Sequence, residues 1–285
     1  MKNSSQIVYL STYPPRECGI ATFTRDLIEN FDDLFTKNED TKVIALNNNK
    51  GEYEYPKKVI FEISENNQSD YEEAATKLNN MPEVKLVVIE HEFGIYGEHA
   101  GHNINIFLEK IKKPIAITLH TVLPTPSTEV YEVMQKIINR VDRIIVMTQT
   151  SKNILESVYG ANPLKIRVIP HGIHPIAYSD GRIAKQKLNF PNKKIISTFG
   201  FLSRGKGIEY GIEAMSKIIT AHPDTLYLII GETHPVVYKQ EGESYREELV
   251  KQVERLGITD HVVFVNKFLP TKDLLEYLEA TDIYL

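Results

Sequence analysis

The chain has 285 residues, 42% hydrophobic and 25% charged, a balance typical of globular proteins in water and long enough for two domains. Its 33 Lys+Arg stand against 38 Asp+Glu, and a net charge of -5 speaks against nucleic-acid binding, which needs a clustered basic face. A single cysteine excludes an internal disulfide framework, and no apolar run is long enough for a signal peptide or a bilayer span. The expected location is the cytoplasm, with a peripheral seat at the inner membrane face left open.

In chain order the predicted strands are "IVYLST" (7–12), "KVIALN" (42–47), "VKLVVIE" (84–90), "PIAITLH" (114–120) and "DRIIVMT" (142–148). Continuous β-branched runs of this kind suit strands covered on both faces, as in a parallel sheet. Helical patterns lie between them: Ile20, Phe23, Leu27 and Phe31 line one predicted face, and Tyr131, Met134, Ile138 and Val141 another. A connector rich in Pro, Gly and His over 170–175 and a polar stretch to 192 precede a second set. That set comprises strands at 194–200, 225–231 and 261–266, helices at 208–219 and 272–280, and a Glu/Lys-rich helix between the second and third of these strands. The alternation predicts α/β architecture in two Rossmann-like doubly wound domains, 1–174 and 175–285. The chain stops inside an apparent strand, "DIYL" (282–285), so the second domain is expected to be incomplete and the chain to be part of a longer protein.

Ligands of doubly wound sheets bind beyond the carboxyl ends of the strands, so residues just after strands carry most information. "GFLSRGKG" (200–207) brings three glycines, Arg204 and Lys206 to the start of a helix, a natural anion site and neither a P-loop nor a G-x-G-x-x-G fingerprint. Its competitor is an exposed turn with two surface cations. His120, where an apolar strand meets a loop, could hydrogen-bond a sugar hydroxyl or act as an acid or base; a histidine satisfied by nearby backbone is the equal alternative. His91 and Glu232 are further strand-end substrate contacts to consider, although Glu232 would serve equally as a turn cap. "HEFGIYGEHAGH" (91–102) lacks H-E-x-x-H spacing and is broken by glycines, so it reads as a substrate-facing loop and no metal is expected. In "ECGIATFT" (17–24), either Cys18 or Gly19 could be the reason for the turn.

Taken in order, these stretches resemble the group 1 (family 4) retaining glycosyltransferases of the two-domain GT-B fold, over essentially the whole chain. "CGIATFTRDL" is similar to the family's glycine loop, "TLHT" to its strand-end histidine and "VIPHGIHP" to its hinge phrase, where an Asp often stands at the place of His174. "GFLSRGKGIEYGIEA" is similar to its donor-diphosphate loop, and the run over 245–285 follows the family's next segment. The resemblance implies transfer of a sugar from a nucleoside-diphosphate sugar to a hydroxyl of a glycan, lipid-linked or small-molecule acceptor, with configuration retained and without a metal or other cofactor. It places Lys206 and Gly19 at the diphosphate and His120 at the donor sugar, as the catalytic contact.

Two departures stand out. Phe201 occupies the position after the loop's first glycine where the family usually has Arg, with Arg204 as the residue that could reach the same phosphate. The family's Glu-x7-Glu pair would fall after residue 285. A nucleotide-sugar epimerase, a phosphorylase and a non-catalytic sugar- or nucleotide-binding protein therefore stay open as alternatives. On this reading Gly19, not Cys18, is the functional residue of its turn. Cys18→Ser is expected to be mild and Gly19→Leu to abolish transfer in the complete enzyme, as measured by a sugar-transfer assay.

Overall fold

The structure, a computed structural model, describes residues 5–34, 39–48, 51–177 and 180–285. The chain divides into two compact units, Met1–Ile173 and His174–Leu285.

Within the described residues, unit 1 has strands β1 (Ser5–Ser11), β2 (Glu39–Asn47), β3 (Val59–Ser64), β4 (Val84–His91), β5 (Ile115–Leu119), β6 (Arg143–Val146) and β7 (Ile166–Val168). Its helices are α1 (Gly19–Leu34), α2 (Gln68–Asn79), the short α3 (Glu98–Gly101), α4 (Ile104–Lys110), α5 (Thr128–Arg140) and α6 (Gln149–Ser157). All neighbouring strands pair in parallel, in the order β3-β2-β1-β4-β5-β6-β7. Val8, Leu10, Ile44, Leu46, Val87, Ile89 and Ile117 form the core of one sheet face with Tyr71, Phe107 and Ile137 from the helices. Side-chain caps start the helices where the sequence offers them: Asn67 accepts from Ser69 N, Ser127 from Val130 N and Thr148 from Ser151 N.

The buried face of α1 is not the apolar stripe the spacing predicts. Ala21, Thr24 and Ile28 face the sheet, while Leu27 is 37% exposed and Phe23 lies at the flank. Small residues let the helix approach closely, and Ser11 Oγ bonds Thr24 Oγ1 at 2.6 Å across that contact. Strand β3 and helix α2 were not among the predicted elements. β3 lies at the sheet edge, where half-buried strands carry a weak apolar signal.

Unit 2 has β8 (Lys194–Phe199), β9 (Thr225–Ile230), β10 (Val262–Val265) and β11 (Ile283–Tyr284), paired in parallel in the order β10-β9-β8-β11. Its helices are α7 (Arg182–Lys187), α8 (Ile208–Ala221), α9 (Pro235–Glu241), α10 (Ser244–Leu256) and α11 (Thr271–Glu279). The two-residue period of β9 splits its side chains between two clusters. Tyr227 and Ile229 join Ile212, Met215 and Leu249; Leu226, Leu228 and Ile230 join Ala184 and Ala280. Among the described residues no helix is long and apolar enough to cross a membrane.

Both sheets use the same side chain to close one strand pair. Just before β6, Asp142 Oδ2 accepts the N–H of Ile115 at 2.9 Å while Asp142 N donates to the Ile115 carbonyl. Just before β11, Asp282 repeats this with Ile195, at 2.7 Å and 2.8 Å. In each case the carboxylate satisfies a strand amide one residue before the ladder to the next strand begins. Asp142→Ala is therefore expected to leave the amide of the buried Ile115 without a partner and to lower unfolding free energy by about 1–3 kcal/mol, measured by urea unfolding.

Candidate functional site

The strand orders reverse direction at one place in each sheet, between β1 and β4 in unit 1 and between β8 and β11 in unit 2. Loops leaving the carboxyl ends of strands separate at such points and leave a crevice. In both units the residues singled out from the sequence gather near these ends.

In unit 2 the chain leaves β8 at Gly200, whose φ of +110° suits glycine, and a Cβ there would strike the Lys206 ammonium. Lys206 Nζ donates to the Phe199 carbonyl at 2.9 Å, and partial burial at that contact lowers its pKa below the usual lysine range. Gly231, at φ +135°, ends β9 so close to Gly200 that a Cβ would meet the Gly200 carbonyl. Leu202 N donates to the Glu232 carbonyl and His234 N to the Leu202 carbonyl, which ties the two turns together. Behind them lies Arg246, nearly buried. Its Nε donates to Glu243 at 2.7 Å and its Nη2 to Thr233 Oγ1 at 3.1 Å. Helix α8 then starts at Ile208 after Gly207, which offers no side-chain cap; the Tyr210 amide donates to the Gly207 carbonyl, the Ile208 amide meets the Tyr245 hydroxyl, and the positive end of the helix dipole lies at this turn.

Arg204, expected at the phosphate, is held by carboxylates in this structure. Its guanidinium forms a two-pronged pair with Glu248 at 2.7 and 2.9 Å, reaches Glu241 at 3.0 Å and lies over the Tyr245 ring. Two carboxylates already neutralise this cation. Phe201 stacks on Phe268 with ring centroids 5.7 Å apart and meets His234 edge-on at 5.4 Å, so the position brings an aromatic surface where a cation was expected. Glu232 lies in the turn after β9, half-buried.

In unit 1 the register pairs Glu90 of β4 with Thr118 of β5. Thr118 and His120, two residues apart, share a face, so the same carboxylate meets both. His120 Nε2 is 2.9 Å from Glu90 Oε2, and Thr118 Oγ1 donates to Glu90 Oε1 at 3.3 Å. Two residues on, Thr121 Oγ1 donates to Glu92 at 2.6 Å. The Tyr96 hydroxyl lies 2.8 Å from the Glu90 carbonyl and 3.2 Å from the Leu10 carbonyl, linking β4 to β1. Phe23 of α1 meets the His120 ring edge-on at 4.8 Å and the His171 ring at 5.5 Å. Glu90 escaped the sequence reading because it ends an apolar run and looked like its boundary. Its signal was a carboxylate in phase with the inward residues of a strand covered on both faces.

Gly19 begins α1, and a Cβ built there meets nothing within 4 Å. Its backbone does not require glycine; what glycine leaves is space in front of the helix. Cys18 Sγ lies 3.5 Å from Thr12 Oγ1. Arg16 fixes the same loop by donating to the Leu46 carbonyl at 2.9 Å. Among the described residues no cluster of His, Cys, Asp or Glu is arranged to hold a metal ion.

Comparison with known proteins gives two family matches, Glycosyltransferase Family 4 over residues 18–175 and Glycosyl transferases group 1 over residues 180–285. A D-inositol 3-phosphate glycosyltransferase of Segniliparus rotundus is 24% identical over 54% of this chain and 36% of its own length. Spore coat protein SA of Bacillus subtilis is 26% identical over 52% of this chain and 40% of its own. The matched region thus spans well under half the length of these curated relatives. Among solved structures, Anabaena HepE in complex with UDP and glucose is superposable with a TM-score of 0.69 at 18% identity, covering 98% of this chain and 73% of that one. At that identity the likeness is one of fold, the fold of GT-B glycosyltransferases.

His91, expected at a strand end as a candidate substrate contact, is the last residue of β4 and fully buried, stacked on Tyr96 and edge-on to Phe93. Neither ring nitrogen has a partner among the described residues. Burial, with a smaller electrostatic interaction with the neighbouring His120, lowers its pKa from 6.5 to about 3. The unfolded imidazole takes a proton near pH 6.5 and the folded one does not until about 3, so its stability contribution is complete above 6.5 and is lost as pH falls through that interval. Glu90, whose pKa burial raises, acts in the opposite sense in any variant that keeps it. Relative to wild type, His91→Phe is expected to gain stability by about 1.4 kcal/mol per pH unit below 6.5. Urea unfolding of both proteins between pH 7 and 4.5 measures the difference.

Proposed function

The chain belongs to the family 4 and group 1 glycosyltransferases, and from that membership we propose that it moves a sugar from a nucleoside-diphosphate sugar to an acceptor hydroxyl with retention of configuration. The observation that carries this reading is the turn of unit 2 in which Lys206 and the N-terminus of α8 come together at a strand end. Breaking the bond between sugar and diphosphate leaves negative charge on the departing phosphate. Fixed positive charge placed there beforehand stabilises the transition state without reorganisation. We assign no metal or other cofactor to that step.

His120 is assigned to a hydroxyl of the donor sugar, and the open space before Gly19 to the diphosphate and the acceptor. HepE was solved with UDP and glucose, so UDP-sugars are the first donors to try, followed by GDP-sugars. The acceptor is a hydroxyl of a glycan, a lipid-linked glycan or a small molecule.

A second reading, binding of a sugar nucleotide without transfer, draws support from the pairing of Arg204 and from Phe201, which leave Lys206 as the cation of this turn beside the phosphate position.

In the full-length protein the transfer reading expects release of nucleoside diphosphate from at least one donor of a UDP- and GDP-sugar panel, followed by a coupled nucleotide assay. Lys206→Met should lower that rate about 100-fold with little change in melting temperature. Tight UDP binding with no release from any donor would favour the second reading.

A further inference from the structure

We propose that Glu90 is a positioning residue that fixes the tautomer of His120 and so presents His120 Nδ1, as a hydrogen-bond acceptor, to the donor sugar; this rests on the assignment of His120 to that sugar.

Glu90 is completely buried, and a carboxylate removed from water is tolerated only where donors replace its hydration. Burial raises its pKa, and hydrogen bonds from His120 and Thr118 work against that rise. With Glu90 ionised the carboxylate only accepts, and the ring nitrogen 2.9 Å from it, Nε2, carries the hydrogen. In the neutral imidazole that leaves the lone pair on Nδ1.

The surroundings make this orientation hard to reverse. The side chain of His120 is only 8% exposed, and its ring is gripped by the edge of Phe23. Among the described residues Nδ1 has no hydrogen-bond partner, and the residue as a whole is partly exposed. The other titratable groups near the pair do not compete for the role. Tyr96 holds the Glu90 backbone carbonyl through its hydroxyl, and Tyr9 is kept protonated by burial. His91 is neutral and buried. His171 lies beside the His120 ring with centroids 6.2 Å apart.

A carboxylate behind an imidazole could instead be a packing device. The test separates the two with Glu90→Gln, which keeps an acceptor for Nε2–H, and Glu90→Val, which removes it. The first measurement is the tautomer of His120 from long-range 1H–15N NMR of the intact protein. The second is the rate of nucleoside-diphosphate release from UDP-glucose, or from the donor of the panel that wild type uses best. Wild type and Glu90→Gln are expected to show Nε2–H, with Glu90→Gln retaining at least about a tenth of the rate. Glu90→Val is expected to show mixed tautomers and a rate down about 100-fold in kcat with KM little changed. An Nδ1–H tautomer in wild type would overturn the proposal, as would a Glu90→Val protein that keeps Nε2–H and the wild-type rate. If wild type releases no nucleotide from any donor, the transfer reading fails, while the NMR still decides whether Glu90 sets the tautomer.

Discussion

Parallel strand pairing is the constraint from which the rest of this molecule follows. A parallel neighbour can be reached only by a crossover, so all strands of a sheet end on the same side and their outgoing loops collect there. The register then decides which side chains meet. Glu90, Thr118 and His120 lie on one face because β4 and β5 pair Glu90 with Thr118 and the strand period is two. A slip of one residue would turn the carboxylate away from both donors.

The two units treat charge differently. In unit 1 two consecutive residues of one strand are buried and polar: Glu90, each of whose carboxylate oxygens has a partner, and His91, which has none among the described residues and stays neutral. Unit 2 keeps its charges nearer the surface and in groups. Arg204 is enclosed by Glu241 and Glu248, while Arg246 and Glu243 brace the turn at Thr233. The pairing of Arg204 matters for chemistry because a neutralised guanidinium contributes little field to a phosphate, whereas Lys206 donates to the Phe199 carbonyl and forms no ion pair among the described residues.

Most strands could be read directly from the sequence, since a doubly covered strand must be apolar along its whole length. The edge strand β3 and helix α2 lacked that signature. The inward face of α1 was misread because an apolar stripe usually marks the buried side, and here Ala21 and Thr24 allow a closer approach than Phe23 or Leu27 would. The glycines of the 200–207 turn pointed to a special backbone, which Gly200 and Gly207 have. What no local pattern could reveal was partnership across the fold: Arg204 with residues 37 and 44 positions away, or His120 with a carboxylate 30 positions earlier.

Phe23 touches the rings of both His120 and His171, and it lies four residues, or about 6 Å along the axis, from Gly19. A hydrogen-bonded helix is stiff over one turn, so α1 acts as a short rod between the empty space at its tip and the two imidazoles at its flank. The helix that opens at Gly19 thus carries, one turn further on, the ring that packs against both imidazoles, so the geometry of its first turn and the seat of His120 are set by one element.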